Sequence, residues 1–64
     1  MTDQDKLVIL ALADNRMNIS DTARALSIHR NSVVYHIEKI KKEIGLDPRD
    51  FYDLCELLDM VRGD

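Results

Sequence analysis

Residues 19–44, ISDTARALSIHRNSVVYHIEKIKKEI, read as a short helix, a tight break and a longer helix. In the longer one Val33, Ile37, Ile40 and Ile44 are spaced four, three and four. At about 100° per residue they fall within about 60° of one another, which makes one buried stripe. Measured from Val33, the opposite side holds Glu38 at about 140°, Asn31 at about 160°, Lys42 at about 180° and Tyr35 at about 200°, with Val34 beside them at about 100°. Two helices in this arrangement make a helix-turn-helix, and the outward row of the second is the part that calls for a function.

Outward from that pair, the chain supplies one helix on each side. Thr2-x-x-Asp5 has the spacing of a capping box, and LVILALA behind it is apolar nearly all round, as in a helix clamped on more than one side. This first helix is expected over about 3–15, with Asp14 to Asn18 as a polar loop. Ser20 is the expected N-cap of the second helix, over about 21–26, with Ala23 and Leu26 facing inward. Ser27-Ile28-His29 makes the turn, Ile28 pointing into the core and His29 capping the third helix, 30–44. Gly45 ends that helix and Leu46 folds back on it. Asp47 as cap, Pro48 at the first helical position and Asp50 in the first turn place the fourth helix at about 48–62. Its residues Phe51, Leu54, Cys55, Leu57, Leu58 and Val61 span about 160°, wider than the roughly 100° that closes a small core, and Cys55 is expected inside it. The fold class is therefore all-α, a four-helix helix-turn-helix domain over 1–64, without repeat or linker.

The composition agrees. The 64 residues have room for one domain of modest stability. Apolar residues at 45% and charged residues at 33%, with two glycines and one proline, suit a helical domain and exclude sandwich, collagen-like and disordered classes. No apolar run is long enough to span a bilayer, and MTDQDK lacks the basic start of a secretory signal, so a cytoplasmic location is expected. One cysteine and two histidines form neither an internal disulfide nor a metal set, so no metal and no cofactor are expected, and an enzyme is a distant reading. The net charge of −3 is unevenly divided. Residues 1–15 carry −2 and residues 43–64 carry −5, whereas residues 16–42 hold Arg16, Arg24, Arg30, Lys39, Lys41 and Lys42 against Asp21 and Glu38, for +4. Basic charge gathers on the motif, as binding to phosphate requires.

TARALSIHRNSVVYHIEKIKKEIGLD resembles the C-terminal helix-turn-helix domain of PucR/CdaR-type bacterial regulators, the sugar-diacid and purine-catabolism activators, and is more distantly similar to Fis-type motifs. The likeness is carried by Thr22, Ala23, Arg24, Leu26, His29, Arg30, Asn31, Tyr35, Ile40, Gly45, Leu46 and Asp47, over about residues 18–62. Ser32, Val33 and Ile37 are conservative replacements. HRN followed by a tyrosine on the same face is its most specific part. Val34 and His36 stand where the family usually has arginine, and Ser27 where such motifs often have glycine. The resemblance implies a sequence-specific DNA-binding domain of a bacterial transcription regulator, with double-stranded DNA as partner. It also implies a place at the end of a longer chain with a sensing domain upstream.

The residues expected to face DNA are Ser20, His29, Arg30, Asn31, Ser32, Val34, Tyr35, Lys39 and Lys42. Arg30 and Asn31 begin the recognition helix, where arginine pairs with guanine and asparagine with adenine; the bland alternative is a solvated helix start. Tyr35 suits a phosphate or a thymine methyl, and Val34 a thymine methyl or plain surface. His29 either donates to a phosphate or only organises the turn, and His36, about 60° from the core stripe, is expected as a packed flanking residue. Lys39, Lys41 and Lys42 either follow the DNA backbone or form a solvated face with Glu38–Lys42 and Lys39–Glu43 pairs. A competing reading is a helical protein-interaction or dimerisation module without useful DNA affinity. The surplus apolar face of the fourth helix suits a homodimer or the upstream domain. That face is small, so the isolated domain is expected as a monomer or weak dimer.

Overall fold

Every helix start is closed by a side chain that accepts an otherwise orphaned N–H, and these caps fix the boundaries. The computed structural model describes residues 1–63; Asp64, one of the C-terminal acids counted above, lies outside them. α1 runs Asp3–Asp14 behind Thr2, whose Oγ1 accepts the Asp5 N–H at 3.1 Å while Asp5 Oδ2 accepts the Thr2 N–H at 3.0 Å, the expected capping box. α2 is Ile19–Leu26 and starts earlier than expected: Asn18 Oδ1 accepts the Asp21 N–H at 2.8 Å, so Asn18 is the cap and Ser20 an exposed first-turn residue. α3 is Arg30–Ile44, capped by His29 Nδ1 accepting from the Asn31 N–H at 3.1 Å and ended by Gly45 at φ 85°. α4 is Phe51–Arg62.

The start of α4 differs from the sequence reading for a local reason. Asp47 Oδ1 accepts the Arg49 N–H at 2.9 Å and so closes a turn of its own, in which the Asp50 N–H reaches the Asp47 carbonyl at 2.9 Å. Pro48 is buried in that turn rather than opening the helix. The cap passes to Asp50, whose Oδ1 accepts from Asp53 N–H at 3.0 Å, and Asp53 Oδ2 in turn accepts the Asp47 N–H at 3.0 Å.

Two of the connections are Schellman turns made without glycine. After α1 the Met17 N–H reaches the Leu12 carbonyl at 2.7 Å and the Arg16 N–H the Ala13 carbonyl at 3.4 Å, with Arg16 and Met17 at φ 55° and 63°. After α2 the Ile28 N–H reaches Ala23 O at 3.0 Å and the Ser27 N–H reaches Arg24 O at 3.2 Å, with Ser27 at φ 56°. A side chain held left-handed costs about 1–2 kcal/mol, partly offset in a glycine variant by the freer unfolded chain. Ser27→Gly is therefore expected to stabilise the domain by about 0.5–1 kcal/mol, read as a higher midpoint in urea at unchanged m-value.

α1 is the central element, and this explains its unbroken apolar run. Its Val8 and Leu12 pack with Ala23 of α2 and Val33 and Ile37 of α3, joined by Ile19, Leu26 and Ile28. Its Ile9 packs with Ile40 of α3 and Leu54 and Leu57 of α4, joined by Ala13, Met17, Ile44, Leu46, Leu58 and Val61. The expected α3 stripe and the inward Ala23, Leu26 and Ile28 all have their places in these clusters. Cys55 does not: it is exposed, because at about 100° from Leu54 it lies beside the buried side of α4. Thr22 is fully buried, and its hydroxyl has no hydrogen-bond partner among the described residues.

Candidate nucleic-acid interface

α3 is held against α1 by a polar clamp as well as by its apolar stripe. Asp5, 0% exposed, places Oδ1 2.7 Å from His36 Nδ1 and Oδ2 3.1 Å from Lys39 Nζ. Burial pushes the Asp5 carboxyl up. The Thr2 N–H, His36 and Lys39 outweigh that and hold it well below the usual carboxylate range. The same contact raises the Lys39 ammonium above its ordinary value, aided by the nearby acids and opposed by burial. The His36 ring also meets Tyr35 edge-on, with centroids 5.3 Å apart at 75°. A buried acid on α1 thus reaches, through one imidazole, the outward row of α3.

That row is open. Asn31 and Lys42 are exposed, and Tyr35 is 62% exposed. Arg30 is exposed at the helix start, and Val34 and Ser32 are half-buried on the two flanks. Since His29 Nδ1 accepts in the cap, its ring proton sits on Nε2, and the residue is exposed. Ser20 is exposed in the first turn of α2, and Arg24, two residues before the end of α2, pairs with Asp21 at 3.1 Å. Of the residues expected to face DNA, Lys39 stands apart, because its ammonium is held by Asp5 and its side chain is only 25% exposed.

Glu38, the one acid in the row, is not paired with Lys42. Arg49 reaches Glu38 Oε1 at 3.0 Å and also pairs with Asp47 at 3.4 Å. Its backbone N–H, then its guanidinium and Lys41, hold the Asp47 carboxyl below its ordinary value, against burial. Lys42 has no ion pair among the described residues, and the Lys39–Glu43 pair is likewise replaced by Lys39–Asp5. The turn before α4 therefore adds a cation that masks the acid on α3, a contact across 11 positions that local spacing does not reveal.

Chemically the row offers a bidentate amide at Asn31, a guanidinium at Arg30, a phenol at Tyr35 and an ammonium at Lys42. These are donors suited to base edges and phosphate oxygens. Among the described residues no group of three or more His, Cys, Asp or Glu can hold a metal ion, and no helix is long and apolar enough to cross a membrane.

No curated protein and no solved structure matches the chain. A family model does, that of the PucR C-terminal helix-turn-helix domain, over residues 8–61. The match begins inside α1, ten residues before the motif-bearing stretch, takes in α2, α3 and all of α4 but its last residue, and leaves Asp5 outside. Covering most of the chain and agreeing with four helices in this order, it shows that the chain belongs to the PucR C-terminal helix-turn-helix domain family.

Proposed function

We propose that this domain is the sequence-specific DNA-binding part of a bacterial, cytoplasmic transcription regulator, with the N-terminal half of α3 in the major groove. The family is one of helix-turn-helix domains of transcription regulators, not of enzymes. The observation that carries the finer reading is the Asn31, Tyr35, Lys42 row, exposed on the side of α3 opposite its buried stripe, with Glu38 paired to Arg49. Arg30 and Asn31 read bases. Lys42, about three turns further on, meets the backbone where the helix leaves the groove. His29 through Nε2, Ser20 and Ser32 serve phosphates at the helix entrance, and Val34 flanks the row as an apolar contact. Lys39 is assigned to the Asp5 clamp instead.

A selection from random duplexes provides the preferred site, and two variants then separate the roles. Lys42→Ala is expected to weaken preferred and scrambled duplexes alike and to lower the salt slope by about one unit. Tyr35→Phe is expected to do the same, more mildly, if the hydroxyl meets a phosphate, and to be silent if the ring packs on a thymine methyl. Failure to enrich any sequence in the selection would count against the reading and for the protein-interaction module.

A further inference from the structure

The outward row of α3 has an acid at its centre. Asn31, Tyr35, Glu38 and Lys42 are spaced four, three and four. From Val33 they lie at about 140–200°, so Glu38 stands on one line between the phenol and the ammonium. Its side chain is 54% exposed. One carboxylate oxygen, Oε1, accepts from Arg49 Nη2 at 3.0 Å; the other, Oε2, has no hydrogen-bond partner among the described residues. The guanidinium is itself anchored. Its Nε lies 3.4 Å from Asp47 Oδ1, and Asp47 Oδ2 lies 3.9 Å from Lys41 Nζ. A chain of alternating charges thus runs from the turn before α4 to the middle of the row and ends on an open acceptor.

A bare carboxylate laid against phosphates would be repelled, but one paired to a guanidinium adds no net charge. The pair therefore leaves the row an acceptor at little electrostatic cost. In the major groove only cytosine N4 and adenine N6 present amine donors, and adenine places the acceptor N7 beside its amine. Guanine O6 and N7 and thymine O4 are acceptors and repel a carboxylate. We infer that Glu38 is a specificity-determining residue, accepting through Oε2 from the N4 amine of a cytosine, while Arg49 acts through Oε1 as a positioning residue that holds the carboxylate. The inference rests on the assignment of α3 to DNA. Glu38 stands seven residues beyond Asn31, about 10.5 Å along the helix, so its base lies about two to three base pairs from the one that Asn31 contacts.

Selection from random duplexes with the full chain, run side by side for the parent and Glu38→Gln, tests the proposal. Binding curves on four duplexes that differ only at the assigned base pair follow. The parent is expected to prefer cytosine there by about 5- to 150-fold. Glu38→Gln, whose amide matches adenine N6/N7, should move the preference to adenine at that position and leave the others unchanged. Both side chains are exposed and have similar helix propensity, so the fold is kept, and circular dichroism checks it.

Arg49→Met separates the positioning role. Asp47 closes its turn on the Arg49 backbone N–H, which methionine also supplies. The variant should bind the cytosine duplex about 3- to 10-fold more weakly than the parent and discriminate less at that position. In the Glu38→Gln background the same change should cost less than about twofold, because no carboxylate is left uncovered. Equal losses in the two backgrounds would overturn the role of Arg49. Identical selected sites for the parent and Glu38→Gln would overturn the base assignment while leaving α3 on DNA. No enriched sequence for the parent would instead overturn the DNA reading itself, and this inference with it.

Discussion

Asn31→Ala is expected to cost about 1–3 kcal/mol on the preferred duplex, about 5- to 150-fold in affinity, and far less on a scrambled one. Asn31 is exposed in the first turn of α3, and its backbone N–H is already taken by His29, so the side-chain amide is left for an outside partner. An asparagine amide matches the N6/N7 edge of adenine in a bidentate manner, and no other base presents that pattern. The loss therefore falls on discrimination, not on general affinity. Binding curves on the two duplexes check this: an unchanged ratio would mean that Asn31 reads no base.

The second large effect is on folding. Asp5→Ala is expected to destabilise the domain by about 2–4 kcal/mol, since it removes one half of the capping box and strands His36 and Lys39 beside a cavity. For a domain of this size that is a large share of a total of a few kcal/mol, so the variant should be substantially unfolded at 37 °C. Asp5→Asn keeps the volume and the cap oxygen and should fall between the two. The carboxyl's folded-state value lies below its unfolded value of about 4. Its contribution is thus complete above about pH 4 and is lost progressively as pH falls from there toward the folded-state value, because the unfolded chain then binds the proton more readily. Thermal melts between about pH 7 and pH 2 should show the parent losing stability below pH 4 more steeply than Asp5→Asn. Parallel curves for the two proteins would remove Asp5 from the acid response.

What the sequence disclosed and what it hid follow from the range of the interactions involved. The stripe Val33–Ile37–Ile40–Ile44 and the Thr2–Asp5 box depend on neighbours three or four residues away, and both are in place. Helix starts with two rival acceptors were harder. Asn18 and Ser20 are both good caps, as are Asp47 and Asp50, and the choice was made by Asp47 closing its own turn onto Arg49. Ser27, Arg16 and Met17 take left-handed conformations that glycine usually marks, so the Schellman turn after α1 read only as a polar loop. The clamp was out of reach because Asp5 meets His36 and Lys39 across 31 and 34 positions. A partial signal existed in His36, about 60° from Val33 beside the core stripe, a place where a polar residue needs a partner. The exposure of Cys55 and Phe51 depends on how far α4 turns toward α1, which periodicity on α4 alone does not fix.

The claim that the outward row of α3 serves DNA is tested most directly by titrating salt against the affinity of the intact domain for its selected duplex. Bringing the cations Arg30 and Lys42 against the duplex releases condensed counterions, and the slope of log K on log salt is about −0.9 per phosphate neutralised. A slope of about −2 is expected, about one unit shallower in Lys42→Ala. A slope near zero, the same in both proteins, would contradict the account and leave the helix-turn-helix as a protein-interaction module.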